Sequence, residues 1–228
     1  LFIYFTNENI IIIRYNCTMK NFLLILVLFI NVYSIEIKQM PLEFTQKRVD
    51  LTKEYIKNSY GLEVENINII PKIIVIHHTA MDDLAESFNR FNSETLTSDR
   101  KDIKKGGNLN VSAHFFVDFD GTIYSLMPET YMARHVIGLN LSSIGIENIG
   151  GNKKELTKEQ LKANIELVKY LKDKYKTIEY LIGHYEYTSF EKHPLFLEKD
   201  TKYRTIKHDP SIDFMENLRL NFPDLKSN

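Results

Sequence analysis

The side chains in this sequence best suited to chemistry are its histidines. All seven, His77, His78, His114, His135, His184, His193 and His208, fall between residues 77 and 208. Imidazole is a common metal ligand, and a catalytic zinc ion takes three protein ligands from His, Asp, Glu or Cys, keeping a fourth position open. His77 and His184 follow apolar runs that read as strands, Ile-Ile-Val-Ile (73–76) and residues 178–182. Open α/β sheets place their sites at such strand ends. His77 and His78 are neighbours, and adjacent strand residues point to opposite faces, so at most one of them enters a given site. No histidine spacing matches a short-range zinc motif such as HExxH. The one cysteine, Cys17, lies outside the mature chain inferred below, so a third ligand must be a carboxylate or another histidine. Asp209, in Lys207-His208-Asp209-Pro210, is the best carboxylate. Taken alone, Asp before Pro is more often a helix N-cap with Pro at the first helical position. Glu147 lies in Ile144-Gly145-Ile146-Glu147 and shares its strand face with Gly145. A carboxylate facing so small a residue can look into a cleft, where desolvation raises its pKa toward that of a general base; on an edge strand it would merely face water.

The elements around these residues are legible from periodicity. Residues 40–60 have helical character, with Val49, Tyr55 and Ile56 on an apolar face, and stop at Gly61. A short helix over 82–92 carries Leu84, Phe88 and Phe91 at spacings of four and three. Residues 93–108 are polar, contain Gly106-Gly107, and read as a surface loop. A β-hairpin spans 114–126 around Asp120-Gly121, whose turn needs positive φ angles. Residues 143–149 read as a strand closed by Gly150-Gly151. Thr157 and Gln160 form a capping box for a helix with Leu161, Ile165, Val168 and Leu171 on one face. Pro210 opens a last helix over 211–220. Alternating strands and helices without repeats or a linker predict a single α/β domain, a central mixed β-sheet flanked by helices.

The 228 residues are 43% hydrophobic, enough for a packed core. Lys+Arg 29 against Asp+Glu 30 gives net charge −1, which favours neither a nucleic-acid partner nor an anionic membrane surface. One cysteine excludes an intrachain disulfide. Residues 19–34 read as a signal peptide, with Lys20, an apolar run over 22–30 and a cleavage site at Val32-Tyr33-Ser34. That run is well short of the ~20 residues of a spanning helix, so no stable membrane insertion is expected once the signal is removed. Residues 1–18 read as upstream translation foreign to the natural product. Residues 35–228 are then the mature, exported domain.

Four ordered blocks carry a resemblance: Ile-Val-Ile-His-His-Thr-Ala (74–80), Val-Ser-Ala-His-Phe-Phe-Val-Asp-Phe-Asp-Gly-Thr-Ile-Tyr (111–124), Ser-Ile-Gly-Ile-Glu-Asn (143–148), and Gly-His (183–184) with Lys-His-Asp-Pro (207–210). Together they resemble the zinc-dependent N-acetylmuramoyl-L-alanine amidases of the type-2 class. That family shares its fold with phage lysozyme-type amidases and the peptidoglycan recognition proteins. The resemblance covers about residues 45–220 and implies that His77, His184 and Asp209 hold Zn2+. It implies that Glu147 activates water, that Lys207 stabilises the oxyanion, and that His135 lines the substrate groove. The block around His135 departs from the family's Trp-His-Ala-Gly, with Arg134 for the tryptophan and Val136-Ile137 for the alanine, so the sugar-side contacts differ. Residues 185–205 form a longer loop than the minimal family pattern.

The implied activity is hydrolysis of the amide bond between N-acetylmuramoyl and L-alanine, with peptidoglycan or muropeptides as partner, in the periplasm, outside the cell or in the cell wall. The alternative is a module that binds peptidoglycan without cutting it, against which the filled ligand and catalytic positions argue. The signal peptide argues against a cytoplasmic muropeptide-recycling enzyme. The site residues argue against a wall-associated structural protein with incidental histidines.

Overall fold

Ile73, Ile74, Val75 and Ile76 are fully buried, as a β-branched run in the middle of a covered sheet must be. The computed structural model containing them describes residues 35–227; the expectations for residues 1–18, for the signal peptide over 19–34 and for Cys17 fall outside these. Among the described residues, no helix is long and apolar enough to cross a membrane.

In chain order the elements are β1 (Ile37–Gln39), α1 (Gln46–Tyr55), β2 (Ile73–His78), α2 (Leu84–Asn92), β3 (Phe115–Val117), β4 (Ile123–Ser125), β5 (Ser143–Asn148), α3 (Lys158–Lys174), β6 (Tyr180–Gly183) and α4 (Ile212–Arg219). The sheet order is β1-β4-β3-β5-β2-β6. Only β3 and β4, the predicted hairpin, run antiparallel; every other neighbouring pair is parallel. This is the mixed, helix-flanked α/β sheet that the alternation predicts. Register does the positioning. Val75 pairs with Gly145 and His77 with Glu147 on one side of β2, and Val75 pairs with Ile182 on the other. Alternation then puts His77 and Glu147 on one face, with His184 in step beyond β6. Lower on that face, Ile73, Val75 and Ile182 pack against Val136, Ile137, Tyr187 and Phe190.

Four local departures have physical causes. The expected helix over 40–60 begins only at Gln46, because Met40 and Leu42 donate backbone N–H groups to Ser125 and Leu126, continuing the edge pairing of β1. Thr45 caps it, its last turn widens to a π-turn (Ile56–Tyr60), and Gly61 stops it at φ 67°. Its buried face contains Arg48 and Thr52 rather than Val49; the Arg48 guanidinium satisfies the carbonyls of Glu43, Asn92 and Ser93. In α3 the capping box forms, but Gln160 and Asn164 turn inward and leave Leu161 and Ile165 half-buried. They meet the backbone of Val117 and Ile149 and the side chain of Asn148, polar groups that need partners where strands end. Finally, residues 93–108 do more than skirt the surface. Ile103 is buried, and the 3-10 turn Lys104–Gly106 tucks against Arg134 and Tyr203.

Candidate metal centre

β2 carries His77 one residue before its end, β6 delivers His184, and the segment entering α4 supplies Asp209. His77 Nδ1 lies 2.9 Å from His184 Nδ1, and His184 Nδ1 lies 3.0 Å from Asp209 Oδ2. His77 Nδ1 to Asp209 Oδ2 is 3.3 Å. Ligands bonded to one ion at ~2.0–2.2 Å in a tetrahedron sit roughly 3.3 Å apart, so these three donors fit one face of a coordination sphere. Two imidazoles and a carboxylate suit a divalent transition metal such as zinc.

Asp209 is available for this because it does not cap α4. Ser211 does, its hydroxyl accepting from the Phe214 N–H at 3.3 Å. The more common N-cap pattern of Asp before Pro therefore does not hold here, and the side chain is left to face the histidines. Charges agree with ligation. Burial, helped by His184, pushes His77 down to about 4, and burial also lowers His184. Burial alone would raise Asp209, but in the metal-free site hydrogen bonds from His184 and His77, and their charge once protonated, outweigh it and hold the carboxyl well below its usual range. The set is thus two neutral imidazoles and one carboxylate at neutral pH, the protonation state that metal binding requires.

Across the strand pair from His77 stands Glu147. It is only 8% exposed, and its Oε2 is buried with no hydrogen-bond partner. Burial, and then the negative charge of Asp209, push it up to about 8, against the pull of Lys207 and Arg100. A buried carboxyl in that range can take up and release a proton near neutral pH. Lys207 lines the same cavity, of about 390 Å³, as Glu147, His184 and Asp209. Its ammonium has no hydrogen bond or ion pair among the described residues. Every site residue singled out from the sequence therefore gathers at one end of the sheet.

Three residues beside the site have roles that the sequence hid. His78 lines the cavity too but is not one of the three clustered donors; its ring packs on Gly151, where a Cβ would come within 2.3 Å of it. His114 is fully buried behind the site: its Nδ1 accepts from Gly145 N–H at 3.0 Å and its Nε2–H donates to Tyr131 O at 2.9 Å. Only its position beside the apolar pair Phe115-Phe116 hinted at burial. Arg134 is buried as well. Its guanidinium donates to the carbonyls of Ile103, Gly107 and Leu109 and lies 5.0 Å from the Tyr55 ring centroid. His135 sits over Gly145, where an added Cβ would be 2.7 Å from the ring, so glycine makes the room. From the long loop over 185–205, Tyr203 and Thr205 reach the cavity wall.

A family model described as N-acetylmuramoyl-L-alanine amidase matches residues 67–210, a span that contains all of these site residues. Among solved structures, the chain is similar to the N-acetylmuramoyl-L-alanine amidase LysC from Clostridium intestinale URNW, at 23% identity and TM-score 0.52, covering 85% of this chain and 100% of that one. The endolysin amidase LysCS from the same source gives 23% identity and TM-score 0.51, covering 84% and 97%. Drosophila peptidoglycan recognition protein SD gives 18% identity and TM-score 0.50, covering 84% and 98%. At these identities the likeness is one of fold. No curated protein matches the chain.

Proposed function

The chain belongs to the N-acetylmuramoyl-L-alanine amidase family, and from that membership we propose that it is a zinc-dependent hydrolase of the amide bond between N-acetylmuramoyl and L-alanine in peptidoglycan. One observation carries this reading: the donor atoms of His77, His184 and Asp209 close on a single point beside the unpartnered carboxyl oxygen of Glu147. A recognition module has no need of that carboxyl.

His77, His184 and Asp209 hold the ion. Bound zinc supplies Lewis acidity, polarising the scissile carbonyl and acidifying water at the site. Glu147 takes a proton at Oε2 from the attacking water as its oxygen bonds to the lactyl carbonyl carbon. The same carboxyl then hands that proton to the alanine nitrogen as the C–N bond breaks. The products are a lactyl carboxylic acid on the glycan and a peptide with a free amino terminus. Lys207 sets its positive charge against the oxyanion that develops in between. His135 and the wall formed with Arg134 face the substrate groove. With residues 19–34 as a signal peptide, the domain over 35–228 works outside the cytoplasm, in the periplasm or at the cell wall, where its substrate is.

Purified sacculi test the proposal. Mass analysis should find stem peptides starting at alanine and glycan strands with unsubstituted lactyl groups. A chelator should abolish the release and added zinc restore it. Tight binding to sacculi without any released peptide, in the presence of zinc, would instead identify a recognition module.

A further inference from the structure

His135 touches His77, and one set of hydrogen-bond directions fits both its own contacts and ligation by His77. The Ser143 hydroxyl donates its single proton to Leu139 O at 2.9 Å. His135 Nε2 lies 3.2 Å from that hydroxyl oxygen and 3.5 Å from the Ser143 carbonyl oxygen. The carbonyl can only accept, and with the hydroxyl proton on Leu139 O the hydroxyl oxygen accepts too, so in this set His135 carries its proton on Nε2. On a neutral ring that leaves Nδ1 as an acceptor, 3.0 Å from His77 Nε2. His77 Nε2 must therefore be the donor. In that set the lone pair of His77 is on Nδ1, the atom that faces His184 and Asp209, as a bound ion requires.

We propose that His135 is a positioning residue that locks His77 in its ligating tautomer and orientation, so that zinc affinity depends on a histidine that does not touch the ion. This rests on the zinc reading above. Second partners of metal-bound histidines are usually carboxylates, carbonyls or water; here the partner is another imidazole, braced in turn. The His135 and Val136 N–H groups both donate to Asn140 Oδ1, at 3.0 and 2.8 Å. Asn140 Nδ2 donates to the hydroxyls of Tyr55 and Tyr60 at 3.2 and 3.1 Å. Gly145 leaves the space the ring occupies. Both ring nitrogens of His135 are thus engaged inside the protein, and only the face of the ring is left to the groove.

Zinc affinity, measured by competition with a chromogenic chelator, tests this on the wild type, His135→Leu and His135→Asn. Leucine fills the volume without an acceptor, whereas the asparagine carbonyl oxygen falls near the position of Nδ1. Leucine should weaken zinc binding by roughly 10–100-fold, and asparagine should restore most of it, with circular dichroism unchanged in both. Unaltered affinity in His135→Leu, or equal losses in both variants, would overturn the assignment. Imidazole 15N spectra of the zinc-loaded wild type need no variant at all. They should show a proton on His77 Nε2, and a proton on Nδ1 would overturn the proposal. A wild type that binds no zinc would refute the zinc reading itself, an outcome distinct from a wild type that binds zinc regardless of residue 135.

Discussion

Asp209 Oδ2 lies 3.0 Å from His184 Nδ1, while Ser211, two residues on, caps α4. Capping falls to Ser211, which leaves Asp209 free for the ligation proposed above, and the division can be measured. Ser211→Ala should cost about 1 kcal/mol of stability, as lost N-caps do, and keep full zinc content. Asp209→Ala should lose zinc. Thermal unfolding paired with metal analysis separates the two; zinc loss in Ser211→Ala would show that the cap also holds the ligand.

Glu147→Gln should retain zinc and lose turnover by at least ~100-fold, the usual reach of a general base. It should also change how the metal-free protein responds to pH. The folded carboxyl, pushed to about 8, keeps a proton that the unfolded chain, at the ordinary 4.5, has released. The stability of the metal-free wild type therefore falls as pH rises through that window and levels off above it. The glutamine variant lacks this slope, so its advantage should grow steadily from pH 5 to pH 8 in urea unfolding. A constant difference would mean that the carboxyl ionises alike in both states.

His114 runs the other way. Burial lowers it from 6.5 to about 4, so the unfolded chain binds a proton first as the solution is acidified. Stability is unaffected above 6.5, falls between 6.5 and about 4, and levels off below. His114→Leu leaves the buried Gly145 N–H unpaired, at a cost of about 1–3 kcal/mol at pH 7. Because leucine cannot titrate, that deficit should shrink at pH 5. Denaturant curves at the two pH values check the sign.

Arg134 serves three carbonyls and the Tyr203 hydroxyl, 3.2 Å away, with one planar group. A lysine cannot span them, so Arg134→Lys should cost roughly 2 kcal/mol. It should also loosen the loop over 93–108 where that loop borders the cavity. Since Glu147 and the ligands stay in place, KM for muropeptides should rise more than kcat falls. A matching drop in kcat with KM unchanged would put Arg134 in the chemistry instead.

Much of this architecture is written in local patterns. Thr157 and Gln160 announce the start of α3, Asp120-Gly121 turns the hairpin, and the β-branched run before His77 declares a covered strand. Each depends on residues a few positions apart, which is why each can be read in order along the chain. The pattern misleads where a distant partner intervenes. Met40 and Leu42 look helical but pair with the edge of β4, and Gln160 and Asn164 displace Leu161 and Ile165 because strand ends across the interface need donors.

By itself, then, the sequence determined the kinds of side chain present, the order of the elements and the family whose blocks they match. Tertiary structure decided that the Asp209 carboxylate, free of the cap, closes on His77 and His184, that His77 and Glu147 stand in register, and that His135 lies against His77. The reason is physical: alternation and capping act over a few residues, whereas the donor set is assembled by the β5-β2-β6 order and by the freedom that Ser211 leaves to Asp209.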